Sequence, residues 1–310
     1  MKPYHRPFDD THNDFEKMWR FLQQDYGHKQ ERFIWHYSRL GDWKYGLWRE
    51  QKYIPSFFRK HSELWVDAFD QLLGFVLSED GEEVFFIFTL QGYEYLYAEM
   101  LDWTLHNWGP RFPRLLTEVH EYQAEALAML QNRGFRSEGV VATTRQYDLM
   151  TKEAKPIQLP AGYRIMDMCE NGDFHNKSLL YNAGFGNEDH VTDFELLRFE
   201  YSRENPAYDP RFDLSVVTPE GLHVAGCVGF HDPVYGIAEI EKVCTHYQHR
   251  RQGLAEAVIR ECFQRLKKAG MKRAYITGYS EGANALYEKL GPCWQKQWFH
   301  YELAQQERRK

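Results

Sequence analysis

Residues 239–259 read EIEKVCTHYQHRRQGLAEAVI, and the order of features in this stretch decides the fold of the second half of the chain. An extended run with β-branched residues ends at Thr245, the pattern of a strand. A cationic turn follows, His249-Arg250-Arg251-Gln252, and then Gly253-Leu254-Ala255 opens a helix. Its apolar residues Leu254, Ala257, Val258, Cys262, Leu266 and Ala269 recur at helical spacing, and Gly270 is its predicted stop. A helix N-terminus carries unpaired backbone N–H groups and the positive end of the helix dipole, so it suits an anion. Gly253 lets a bulky anion approach the backbone, and Arg250 and Arg251 can add charge-assisted hydrogen bonds. The ligand that fits this chemistry is a phosphate or pyrophosphate.

Downstream, the pattern predicts a strand at Arg273–Tyr279 and a helix at Glu281–Leu290, EGANALYEKL. The turn resembles motif A of the GNAT superfamily of acyl-CoA-dependent N-acyltransferases, Q/R-x-x-G-x-G/A, met by Arg250, Gly253 and Ala255. The family's next block, A-x-x-L-Y-x-x-x-G, is met by Ala283, Leu286, Tyr287 and Gly291. The resemblance spans about residues 160–305 and departs at Tyr247, Ser280 and Pro292, where the family more often has Pro, Asn and Phe. It implies acetyl-CoA as co-substrate and a primary amine as acceptor, with direct transfer in a ternary complex. The backbone of Val243, Cys244 and Thr245 would lie beside the pantetheine. Arg250 and the residues Arg251, Gln252, Gly253, Leu254 and Ala255 would hold the pyrophosphate, with Ser280 and Asn284 as further contacts. Tyr287 would be the general acid. Glu239 and Glu241 alternate onto one face of their strand, and either could be the base.

Composition is consistent with this reading. Hydrophobic residues make up 43% of 310, enough for real cores, and the net charge is −7. Both halves are acidic on balance, which argues against a nucleic-acid partner. The five cysteines include no C-x-x-C pair, so a reducing cytosol fits best. The start, MKPYHRPFDD, has no apolar signal region, and no run is long enough for a membrane helix. The 14 histidines show no ligand spacing, so no metal is expected.

The first half follows a similar script. Strands are predicted at Pro3–Phe8, Glu63–Phe69, Leu72–Leu77, Glu83–Leu90, Arg114–Val119 and Arg136–Asp148. Helices are predicted at Asp14–Tyr26, Arg32–Leu40, Tyr93–Asn107 and Tyr122–Arg133. An offset of about 157–158 residues keeps the two halves in register, which signals duplicated domains. The expected fold is therefore a mixed α/β fold with two tandem GNAT-like domains, similar to double-GNAT proteins such as mycothiol synthase. Each domain would be a mostly antiparallel twisted sheet flanked by helices. The expected division is 1–150, a linker at 151–161 (TKEAKPIQLPA) and 162–310. The first copy reads as degenerate: Tyr95 and Tyr97 stand where Gly253 and Ala255 stand, Gly92 matches Arg250, and Leu130 matches Tyr287. The two tyrosines would fill the pyrophosphate space. Most of the tryptophans lie in this half and read as packing, and Asp42–Phe58 is the candidate for substrate contacts. A monomer is weakly favoured. A non-catalytic acyl-CoA binder is the alternative function. An aminoacyl-tRNA-dependent transferase ranks lower, because the loop is intact and the halves are acidic.

Overall fold

The computed structural model describes residues 2–28, 33–46, 54, 56–151 and 156–304. Within them run β1 (Tyr4–Pro7), α1 (Asp14–His28), α2 (Tyr37–Tyr45), α3 (Ser56–His61), β2 (Ser62–Val66), β3 (Leu72–Leu77), β4 (Val84–Thr89), α4 (Leu96–Asn107), β5 (Arg114–His120), α5 (Ala124–Asn132) and β6 (Arg136–Asp148). The chain continues through β7 (Arg164–Asp167), α6 (Phe174–Tyr181), α7 (Asp193–Ser202), β8 (Asp213–Val217), β9 (His223–Asp232), β10 (Ile237–Thr245), α8 (Leu254–Lys268), β11 (Arg273–Gly278), α9 (Glu281–Lys289) and β12 (Trp294–Ala304). The second helix lies later than its predicted 32–40. Much of the Asp42–Phe58 stretch lies outside the described residues.

The chain forms two compact units, Met1–Ala142 with Lys296–Lys310, and Thr143–Gln295. This division differs from a linear one at residue 150. The first unit takes the end of the last strand, and the second takes the end of β6. In the first unit the strands run β1-β2-β3-β4-β5-β12. The closing strand pairs antiparallel with β5, from Trp298↔His120 to Ala304↔Arg114. In the second unit they run β6-β11-β10-β9-β8-β7. Here Thr143–Asp148 pairs antiparallel with Gly278–Arg273.

The repeat is visible in one shared detail. Each unit contains a parallel pair that bonds only briefly before its strands part: Val84 and Phe85 with Leu116 and Thr117, and Ile237–Glu239 with Arg273–Tyr275. The first core gathers Trp65, Phe85, Leu96, Met100, Leu115 and Tyr301. Trp35, Trp43, Trp65 and Trp108 are buried, which bears out their reading as packing. The second core gathers Leu214, Val224, Ile240, Val258, Cys262 and Ile276. The apolar stripe of α8 supplies much of it, and the helix ends as Gly270 adopts φ 88° while Met271 N–H donates to Leu266 O.

Two buried histidines should make the fold sensitive to acid. Burial holds His223 down to about 4 and His36 down to about 3, from an ordinary 6.5. The unfolded chain therefore binds more protons than the folded one in this window. Stability should fall as pH drops from 6.5 toward 4, by on the order of 3 kcal/mol for His223 alone. Melting curves across that range test this, and a His223→Gln variant should show a shallower acid slope.

Candidate functional site

The site of the second unit is built where β10 leaves its neighbours. Pairing with β11 stops at Glu239, while pairing with β9 shifts register between Glu241 and Cys244. Lys242 sits in this bulge at φ 54°. The parity of the strand changes there. Glu239 lies opposite Phe230 and Glu241 opposite Val228, and past the bulge it is Cys244, not Val243, that lies opposite Gly226. Cross-strand partners share a face, so Glu239, Glu241 and Cys244 share one. A Cβ on Gly226 would meet the Lys177 Nζ and Leu180 of α6, whereas one on Gly229 would meet Cys262 and Leu266 of α8. The two helices therefore cover opposite sides of β9, and the glutamates face the α6 side.

The two carboxylates are not equivalent. Glu239 is buried and lies within the ladder on both sides, opposite Phe230 and Tyr275. Glu241 is half-buried and stands where the strands part. Its negative charge, together with burial, raises the pKa of Tyr287, burial being the larger cause. Tyr287 is 5% exposed, and its hydroxyl has no hydrogen-bond partner among the described residues. Gly278 makes room for it, since a Cβ there would stand 3.1 Å from the Tyr287 ring and 2.6 Å from Asn284 Oδ1.

The turn into α8 has the anion-binding shape. Arg251 and Gly253 both adopt positive φ, 64° and 76°. No side chain caps the helix, and nothing lies within 4 Å of where a Gly253 Cβ would point. Backbone N–H groups of successive residues in such a conformation form a concave donor surface. Leu254 turns its side chain into the core, leaving only its backbone to a ligand.

Other predicted contacts have different occupations. The Arg250 guanidinium donates to Gly184 O and Asn187 Oδ1, both at 2.9 Å, in the segment after α6. It is thus a tether for that segment. Asp189 of the same segment accepts from Tyr247 and lies 3.3 Å from His246 Nε2. His246 is 4% exposed. Ser280 caps α9 by accepting from Ala283 N–H. Asn284 Oδ1 accepts from Arg145 at 2.7 Å. Cys244 packs against Gly184, and burial pushes its thiol up to about 12, so it is no thiolate nucleophile at neutral pH.

Sequence reasoning missed Arg145 and Tyr147. Arg145 also donates to Glu288 Oε2 at 3.1 Å, and the Tyr147 hydroxyl donates to Tyr287 O at 2.8 Å. Both hold α9, yet they precede the linker, so no local signal ties them to this site. In the first unit, Tyr97 is buried and Tyr95 is 61% exposed.

Among the described residues no helix is long and apolar enough to cross a membrane, and no three His, Cys, Asp or Glu cluster as a metal site. Residues 181–291 match the profile of the acetyltransferase (GNAT) family. A search of curated proteins gives no match. Among solved structures, a GCN5-related N-acetyltransferase from Sphaerobacter thermophilus is 15% identical with TM-score 0.65, over 98% of this chain and 96% of that one. A tandem GNAT protein from the clavulanic acid biosynthesis pathway is 13% identical with TM-score 0.62, over 97% and 98%. A GNAT-family acetyltransferase from Colwellia psychrerythraea is 11% identical with TM-score 0.58, over 98% and 100%. These likenesses are of fold. The family profile thus falls within the second unit, and the chain as a whole is similar in fold to tandem GNAT structures, with the same brief parallel pairing in both units.

Proposed function

We propose that the second unit transfers an acetyl group from acetyl-CoA to a primary amine. The observation that carries this reading is the uncapped start of α8, with Arg251 and Gly253 at positive φ and open space where a Cβ would lie. The N–H groups from Arg251 to Ala255 would hold the pyrophosphate. The edge of β10 beyond Glu239, no longer in register with β11, would accept the pantetheine. The amine nitrogen attacks the thioester carbon and the C–S bond breaks. Glu241 takes the proton from the amine, directly or through water, because it stands at the parting of the strands, while the more buried Glu239 supports it. Burial and the charge of Glu241 keep Tyr287 protonated at neutral pH and above. Its hydroxyl can therefore donate to the developing thiolate.

Calorimetric titration with acetyl-CoA tests the binding half. One site is expected, weakened at least about 100-fold in Gly253→Trp, where both the side chain and its backbone conformation oppose the ligand. No binding by the natural chain would sink the reading. Thiol release with a panel of primary amines tests the chemistry. Glu241→Gln and Tyr287→Phe should each lower kcat by about 100-fold or more, with acetyl-CoA affinity within about threefold. Binding without turnover on any amine would favour the non-catalytic acyl-CoA binder.

A further inference from the structure

The first unit keeps a cavity of about 540 Å³ at its own parting of strands. It is lined by the end of β4 and the following turn, from Phe88 to Gln91, and by the start of α5, from Tyr122 to Ala126. Its chemistry is the reverse of an acyl-CoA cleft. Three carboxylate side chains line it, Asp25, Glu94 and Glu125, and no Lys, Arg or His does so among the described residues. The turn before α4 also has no place for a phosphate. Its Gly92 N–H already donates to Glu94 Oε2 at 2.8 Å, and Tyr95, before the helix, is right-handed at φ −60°.

Two further features favour a ligand with an apolar body. Aromatic faces and Met129 line the cavity together with the carboxylates. Tyr97, 6% exposed, lines it as well, and its hydroxyl has no hydrogen-bond partner among the described residues. A ligand in the cavity can therefore meet this hydroxyl.

We propose that this cavity is a binding site for an organic ammonium ligand, an amine or polyamine carried on an alkyl chain. Carboxylates accept from its N–H groups, aromatic faces take the cation, and Met129 and Phe88 take the methylenes. The site is separate from the proposed acyl-transfer site and stands whether or not that reading holds.

The test is calorimetry of the full chain with spermidine as probe. One saturable site is expected. Glu125→Lys, at an exposed rim position, should weaken it at least about tenfold, and Met129→Trp should weaken it as well by narrowing the cavity. Glu138→Lys, an exposed position outside the cavity, changes the net charge equally and should leave affinity within about twofold. Absence of saturable binding at millimolar spermidine overturns the proposal. So does binding that survives Glu125→Lys and Met129→Trp, which places the amine elsewhere, or equal weakening by Glu125→Lys and Glu138→Lys, which reduces it to the general field of an acidic protein. If Met129→Trp fails to melt cooperatively, the two lysine variants alone decide.

Discussion

A polypeptide that begins at residue 162 is expected to aggregate or remain unfolded and to bind no acetyl-CoA. Such a fragment matches the division suggested by the linker, but it lacks Thr143–Asp148. Without that segment β11 loses its partner from Arg273 to Gly278 and presents a bare edge. It also loses Tyr147, which is fully buried in the core of the second unit, and Arg145, which holds Asn284 and Glu288. Deleting one buried aromatic side chain costs about 3–5 kcal/mol, a large part of the 5–15 kcal/mol typical of a whole domain. A fragment of residues 143–295 retains the strand and should melt cooperatively. Circular dichroism melts of the two fragments decide: a cooperative transition in 162–310 within a few degrees of that of 143–295 would refute the argument.

Replacing Lys177 with Met should destabilise the protein by about 3–5 kcal/mol, the usual result of leaving one charge of a buried pair alone. Lys177 Nζ lies 2.7 Å from Asp213 Oδ1 and donates to Leu214 O at 2.8 Å and Ser215 Oγ at 3.0 Å. Asp213 Oδ2 accepts from the Tyr208 hydroxyl at 2.9 Å. Neither charged side chain is more than 1% exposed. The pair also supports the site. Lys177 lies against Gly226, the ladder partner of Cys244, so its loss loosens the floor beneath the bulge. Urea unfolding measures the effect. The double variant Lys177→Met with Asp213→Leu should recover most of the lost stability, because it removes both charges. If the double variant is as unstable as the single one, volume rather than charge is the cause.

The stretch from Glu239 to Ile259 was legible because three independent signals agree in it: strand composition, a glycine at a helix start, and an apolar stripe at helical spacing. The same holds for Ser280 to Gly291. The bulge was not legible. It rests on Lys242 at positive φ, a residue with no intrinsic bias toward that conformation, so only tertiary context places it there. For the same reason alternation alone could not separate Glu239 from Glu241. The occupation of Arg250 was hidden because its partners, Gly184 and Asn187, are more than sixty residues away. The role of Tyr147 was hidden by the prolines that follow it, which mark an end of local structure but carry no information about which sheet the preceding strand joins.

The first unit's closing strand is made only after the whole of the second unit. While a ribosome is still reading the second half, β5 has β4 on one side and nothing yet synthesised for the other, where residues Trp298–Ala304 belong. The second unit meets no such delay, because Thr143–Asp148 emerges before the rest of it. Multidomain chains commonly mature from the N-terminus onward. Here the order of completion is inverted, and the nascent first half must wait for more than 150 further residues, its Arg114–His120 edge open to wrong partners or to a chaperone.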